Sequence, residues 1–217
     1  MSDIKPITIW AHGVGPNPIK VLIILEELGI PYEKIEVENP KAEEYTKINP
    51  NGRVPTIFDP NTDLTLWESG AIIEYLVETY DKEGKLTVKD AKDKWHLKQY
   101  LHFQMSGQGP YFGQAVWFHR FHPEDVPSAK TRYEEQVTRV LGVLDNILKD
   151  KEYLVANKLT YADLAFVPWS SIVTAPQVVG PNFREKYEVD KKYPNFLAWH
   201  ERVSSRPSVA RARGEKK

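Results

Sequence analysis

The stretch I-N-P-N-G-R-V-P-T-I-F-D-P-N-T-D-L-T-L-W-E-S-G-A, residues 48–71, decides how the rest of the chain is read. Val54 precedes Pro55, which pushes it towards extended backbone, and an X-Pro bond is where a cis peptide costs little. A cis bond here would turn the Val54 amide and carbonyl outward, where an extended peptide could pair with them as an added antiparallel strand. Thr56-Ile57-Phe58 and Leu64-Thr65-Leu66-Trp67 then alternate around a turn at 59–63, which is hairpin chemistry. Glu68-Ser69-Gly70 opens a helix. Ser69 can offer its hydroxyl and the helix-terminal amides to a carboxylate, and Glu68 beside it can pair with an ammonium. Taken singly these features describe an edge hairpin followed by a capped helix. Their conjunction within about twenty residues describes a pocket for an α-amino acid end.

Composition narrows the chemistry around that pocket. The 217 residues leave room for one large or two small domains with a sizeable core. Lys and Arg total 29 against 30 Asp and Glu, so no global field argues for nucleic acid or a membrane surface. There is no cysteine, which removes disulfides, thiolate metal sites and a cysteine nucleophile of the protein's own. Any thiol chemistry must use a sulfur brought by a ligand. The N-terminal residues hold no apolar signal core, and no run approaches the eighteen or so apolar residues of a membrane span, so a cytoplasmic protein is expected.

In chain order, Ile7-Thr8-Ile9-Trp10-Ala11 reads as a first strand and 13–18 as a loop. A helix follows with Ile19, Leu22, Ile23, Leu25 and Leu28 on its apolar face and Gly29 at the expected C-cap. A second strand at 31–37, a short helix at 41–48, the hairpin and the helix after Gly70 complete β-α-β-α-β-β-α, a thioredoxin-like layer over residues 1–82. A thioredoxin would carry redox cysteines at its first loop-to-helix junction. Here that junction is Pro16-Asn17-Pro18. The polar stretch 81–88 separates this layer from an all-helical domain over 89–217. Helices are expected over 89–107 and 129–149, with a helix break at Gly107-Gln108-Gly109-Pro110. Thr160-Tyr161-Ala162-Asp163 is a capping-box-like start to another, with Asp in place of the usual Glu or Gln. Residues 195–203 close the bundle, and Pro207 starts a last short helix. His119 and His122 share i, i+3 spacing, but no carboxylate or cysteine completes a metal set, and no metal is expected.

N-P-N-G-R-V-P followed by W-E-S-G-A-I resembles the glutathione-binding segment of glutathione transferases, and the similarity extends from the first strand to S-R-P near the end. P-N-P-I-K, F-Q-M-S-G-Q-G-P-Y-F-G-Q-A and A-D-L-A-F-V-P-W are similar to the fungal Ure2p-like and bacterial nu-class members. That resemblance implies a homodimer, glutathione as cosubstrate, and an asparagine in the first loop, here Asn17, where other classes use tyrosine, serine or cysteine. From the residues alone, Asn17 can either cap the helix or donate its amide to a sulfur and favour thiolate.

The resemblance further implies that Glu68 and Ser69 hold the γ-glutamyl end, Val54 the cysteinyl backbone, and Arg53 and Lys41 the glycine carboxylate. Arg132 matches an arginine near the glutathione site, with a helix-face ion pair as its other reading. Met105, Gln108 and Trp117, with Gly107, Tyr111 and Phe112 nearby, are expected either to line a second-substrate pocket or to fill the core. The implied activity is glutathione-dependent attack on disulfides, peroxides or small electrophiles. A Ure2p-like regulator acting through a transcription-factor partner is the alternative, and a ligand-storage module a third. Ure2p carries an Asn-rich extension ahead of this fold, whereas Met1 here lies a few residues before the first strand.

Overall fold

The computed structural model describes residues 4–13, 15–175 and 178–215. The chain divides into two compact units, Met1–Thr87 together with Arg206–Lys217, and Val88–Ser205.

The first unit is built on a four-stranded sheet in the order β2-β1-β3-β4. β1 (Ile7–Ala11) pairs in parallel with β2 (Tyr32–Glu36) and antiparallel with β3 (Thr56–Asp59), which pairs antiparallel with β4 (Leu64–Trp67). Ile7, Ile9 and Ala11 are buried while Thr8 and Trp10 are half-buried, the period-two signature of a strand with one face inside. α1 (Pro16–Leu28) is buried over more than one face, from Pro18 through Leu25, and ends at Gly29, whose φ of 65° suits a residue without a Cβ. α2 (Glu43–Thr46) is a single short turn, and α3 (Ser69–Tyr80) follows β4 directly. The hairpin turn is fastened to α3 by buried Asp59, whose carboxylate accepts from Tyr75 Oη at 2.6 Å, Tyr80 Oη at 2.5 Å and the Asn61 amide at 2.8 Å. Burial pushes this carboxyl up, but the donors outweigh it and hold it below the usual carboxylate range.

One boundary departs from the sequence reading. The helical domain was expected to run over 89–217, yet α11 (Pro207–Ala212) packs on α1 within the first unit. The cause is Glu27, a buried carboxylate on α1 that needs partners. Arg206 grips it with two parallel bonds of 2.7 and 3.0 Å, and Ser208 Oγ donates to it at 2.5 Å. Burial raises its carboxyl, and the bonds from Arg206 and Ser208 bring it to a net position below its ordinary value. A salt-bridge partner 179 residues away leaves no periodic trace in sequence.

The regular elements of the second unit, among the described residues, are helices: α4 (Ala91–Phe103), α5 (Gly109–Arg120), α6 (Pro127–Ile147), α7 (Tyr161–Thr174), α8 (Phe183–Lys186), α9 (Val189–Lys192) and α10 (Pro194–Ser204). The expected break at 107–110 is instead a widened π-helical turn, Gln104–Gln108, that runs into α5. Pro110 enters in the first turn of α5, where a missing N–H is tolerated. At Gly107 a Cβ would stand 2.8 Å from the Phe103 ring, so the turn closes only around a glycine. α7 opens on the capping box that the sequence spells. Buried Asp163 accepts from Thr160 N and Oγ1, from Leu154 N and from Trp199 Nε1, each at 2.9 Å. His119 lies 2.9 Å from Glu134, which also takes Lys186 and Tyr187, and His122 stacks on Phe118.

Candidate active site

The first corner of the site is the start of α1. Its N-cap is Gly15, which has no side chain, and Pro16 occupies the first helical position. Asn17 therefore sits inside the first turn and not at the cap, so the capping role is not the one it fills. It is half-buried. His12, the other hydrogen-bonding side chain of this loop, has Nδ1 2.7 Å from the Val37 carbonyl at the end of β2.

The second corner is the loop 49–55, and it is fixed from beneath. Asn49 is buried, and its Nδ2 donates to the Arg53 carbonyl at 2.7 Å and to Thr56 Oγ1 at 3.0 Å. Its Oδ1 accepts from Asn51 N at 3.0 Å. Tyr45 Oη, on α2, adds a 2.8 Å bond to the same Arg53 carbonyl. Gly52 has φ 57°, and a Cβ there would meet the Pro40 carbonyl at 2.8 Å. The loop thus presses on the 40–41 stretch, and Lys41 Nζ donates to Asn51 O at 3.2 Å.

The side chain of Arg53 is exposed on this rigid backbone, and among the described residues it has no ion-pair partner. The Val54–Pro55 bond is cis. Among the described residues neither the amide nor the carbonyl of Val54 has a hydrogen-bond partner, which leaves both for an added strand.

The third corner is the start of α3. Glu68 is its N-cap residue, at φ 73° and ψ 110°, with no side-chain capping bond. A non-glycine residue at positive φ here aims an exposed carboxylate away from the helix amides it would ordinarily cap. Asn51 Nδ2 reaches Glu68 Oε1 at 3.4 Å, so the second and third corners touch. Ser69, the first residue of α3, is buried. A helix N-terminus with its positive dipole end, a serine and a carboxylate are arranged for a zwitterionic amino acid head.

The sequence reading missed Tyr45 and Asn49, which hold the second corner from beneath, Asn51, which links it to the third, and buried Lys20. Lys20 lies on α1, three residues beyond Asn17, with 1% of its surface exposed, and the charge of Glu68 reaches it. Desolvation lowers its ammonium from 10.5 to about 7, against the opposing pull of Glu68. The signal was available: a single lysine inside I-K-V-L-I-I-L has no solvated face to occupy.

In the helical unit, Trp117 on α5 is 46% exposed and Met105 is half-buried in the π turn. Gln108 departs from its expected pocket-lining role. It is wholly buried, its Nε2 donates to Ser170 Oγ at 2.9 Å, and its Oε1 accepts from Gln104 Nε2 at 3.1 Å. It braces the π turn against α7. Phe112 is likewise core. Arg132 is exposed near the start of α6, and among the described residues the helix-face ion pair open to it does not form.

A thioredoxin-like layer whose cis-proline corner leaves backbone unpaired, joined in one chain to a helical unit, defines a two-part class of protein. Residues 5–78 match Glutathione S-transferase, N-terminal domain, and residues 110–207 match Glutathione S-transferase, C-terminal domain, and the chain belongs to the glutathione S-transferase family. It is 48% identical to the glutathione S-transferase-like protein gedE of Aspergillus terreus over 220 residues, covering 96% of this chain and 95% of that one. Among solved structures it resembles glutathione transferase URE2P6 of Phanerochaete chrysosporium in complex with oxidized glutathione, at 44% identity and TM-score 0.89, covering 99% and 98% of the two chains. It also resembles Ure2p5 of the same fungus, cocrystallized with 1-(S-glutathionyl)-2,4-dinitrobenzene, at 40% identity and TM-score 0.85, covering 97% and 94%.

Proposed function

We propose that this glutathione transferase binds glutathione along the 53–54 and 68–69 corner and uses its thiolate on disulfides, peroxides and small electrophiles. The observation that carries the reading is the Val54 backbone, unpaired among the described residues, on the loop that Asn51 links to Glu68 at the start of α3. Glu68 pairs with the γ-glutamyl ammonium and Ser69 with its carboxylate. Val54 pairs with the cysteinyl amide and carbonyl, and Arg53 and Lys41 face the glycine carboxylate. Asn17 addresses the sulfur. Arg132, Met105 and Trp117 are the helical-unit residues proposed to act on glutathione and the second substrate.

With no cysteine in the chain, disulfide exchange requires two glutathione molecules. The first thiolate attacks one sulfur of R–S–S–R, forming a glutathione mixed disulfide and releasing RS⁻. A second thiolate attacks that mixed disulfide, giving oxidised glutathione and the second RS⁻, so two thiols are oxidised for one disulfide reduced. Asn17 supplies one neutral donor, which lowers the thiol pKa less than a charged or multi-donor site would. Disulfides and peroxides tolerate that modest activation because their leaving groups are good. Aromatic substitution passes through an anionic adduct that needs further stabilisation.

The test is to compare kcat/KM for bis(2-hydroxyethyl) disulfide and for chlorodinitrobenzene at saturating glutathione. The disulfide is expected to exceed the aromatic substrate, and a strong preference for chlorodinitrobenzene would sink the reductase reading. The exposed aromatic Trp67 on edge strand β4 supports a twofold homodimer, expected as a single dimeric species in sedimentation at micromolar concentration.

A further inference from the structure

We propose that Asn51 is a site of spontaneous deamidation, and that the carboxylate it gains undoes the contact with Glu68 and weakens glutathione binding. The effect on binding rests on the reading of Glu68 as the γ-glutamyl anchor, whereas the modification itself does not. An asparagine loses ammonia when the backbone nitrogen of the next residue attacks its side-chain carbonyl carbon, so the neighbour governs the reaction. Asn17, Asn39 and Asn49 precede proline, which has no N–H to give up. Asn61, Asn146, Asn157, Asn182 and Asn195 precede residues whose side chains crowd the attack. Asn51-Gly52 is the one pair in the chain where neither obstacle stands.

The fold keeps that pair together. Gly52 stands at φ 57°, and a Cβ there would meet the Pro40 carbonyl at 2.8 Å, so a residue with a side chain does not fit after Asn51. Asn51 is exposed, and among the described residues its side-chain amide makes a single contact, to Glu68 Oε1 at 3.4 Å. Ammonia therefore leaves directly to solvent. The restraint lies on the nucleophile, because Gly52 N donates to the Asn49 carbonyl at 2.9 Å and attack requires that bond to open. The rate of modification thus reports local opening of the 49–52 turn, and a ligand paired with Val54 and Glu68 holds that turn shut.

In the reaction the Gly52 nitrogen bonds to Asn51 Cγ, the Cγ–Nδ2 bond breaks, and Nδ2 departs as ammonia with the proton that Gly52 gives up. Water then opens the cyclic imide, at Cγ to give aspartate or at the backbone carbonyl to give isoaspartate. One water is consumed for each ammonia released, and nothing is oxidised or reduced. Aspartate sets a carboxylate where an N–H donor faced Glu68, and the two like charges repel. Glutathione, with two carboxylates and one ammonium, is itself a net anion at neutral pH and meets the added charge unfavourably. Isoaspartate carries the same charge and lengthens the main chain by one carbon two residues before Arg53, which displaces Arg53 and Val54 as well.

The experiment incubates the native protein at pH 8, alone and with S-methylglutathione at ten times the Kd read by titration calorimetry, and follows the tryptic peptide 48–53 by mass spectrometry. A gain of about 1 Da should accumulate in the native protein and be absent from Asn51→Gln, whose longer side chain would have to close a larger ring. The ligand should slow the gain about elevenfold, since only the unliganded turn opens. Asn51→Asp, which supplies the aspartate product outright, should bind S-methylglutathione roughly threefold to tenfold more weakly than the native protein, with the gap narrowing at high salt. No gain in the unliganded native protein, or an equal gain in Asn51→Gln, overturns the modification and leaves the glutathione reading standing. Native or tighter binding by Asn51→Asp overturns the effect on glutathione. If bound S-methylglutathione also fails to slow the gain, the assignment of the γ-glutamyl end to the corner at Glu68 falls with it.

Discussion

α7 and α1 begin in opposite ways. At the start of α7, Thr160 and Asp163 complete a reciprocal capping box in a wholly buried setting, and Asp163 also takes the Leu154 amide and the Trp199 indole. At the start of α1 the cap position holds Gly15, which has no side chain to offer, and α3 likewise opens on a Glu68 that makes no capping bond. Helix starts ordinarily satisfy their orphan amides with a neighbouring side chain. Where that happens, as in α7, the polar groups serve stability. At α1 and α3, two helix starts of one unit, the cap residue supplies no side-chain bond, so the helix start is not closed by its own sequence as α7 is.

The largest expected effect lies on the structural side of this comparison. Asp163→Ala removes the acceptor for four donors in a buried site, and each buried donor left unpaired costs about 1–3 kcal/mol. A loss of at least about 3 kcal/mol is expected, read as a fall in the urea midpoint. Thr160→Val removes one cap hydroxyl and should cost about 1–2 kcal/mol. Should either variant unfold at the native midpoint, the capping box is not what holds the start of α7.

Lys20 supplies the next effect, and its sign follows from its lowered ammonium. Between about 7 and 10.5 the unfolded chain binds more protons at this lysine than the folded one does, so stability rises with pH across that window. The slope is at most about 1.4 kcal/mol per pH unit. Lys20→Met should flatten it, as denaturation midpoints at pH 7, 8 and 9 will show. An unchanged slope in the variant would mean that the ammonium is solvated.

Glu68→Gln and Ser69→Ala are expected to raise the KM for glutathione about tenfold with kcat at saturation retained. Both address a part of the cosubstrate remote from sulfur, and a bond to a charged group is worth about 1.5–3 kcal/mol. Stability should barely change for Glu68→Gln, since this carboxylate is exposed and caps nothing. A fall in kcat at an unchanged KM would place these residues at the chemistry and not at the γ-glutamyl end.

What the sequence discloses follows the same division. The sheet, the cis-proline corner and the capping box were legible because each is written in neighbours: V-P, hairpin alternation, T-Y-A-D. The helix α5 was missed because its aromatic density reads equally as core or pocket, and for α7 the sequence marks the start at the capping box but not its run through Pro168 to Thr174. Gln108 was misassigned because its partner Ser170 lies 62 residues on. Glu27 escaped notice for the same reason, since Arg206 and Ser208 come from the far end of the chain. Polar groups that pair locally announce themselves, whereas those that pair across the fold look like solvated surface until the fold is known.

Asn17 is the smallest effect on stability and the sharpest test of the comparison. If it were a cap, replacing it by alanine would cost about 1 kcal/mol, the usual loss for Asn at that position. It lies inside the first turn behind Gly15 and Pro16, so Asn17→Ala should change stability by less than about 0.5 kcal/mol. Activity should move the other way. Loss of one donor to a developing thiolate should lower kcat/KM for the disulfide about tenfold, corresponding to about 1.4 kcal/mol, and raise the apparent pKa of the bound thiol read from the thiolate absorbance. Chlorodinitrobenzene should suffer at least as much, because its slower attack draws more on thiolate character. A variant that loses stability while keeping both activities would make Asn17 a helix-start residue like Thr160, and the distinction drawn between α1 and α7 would fail with it.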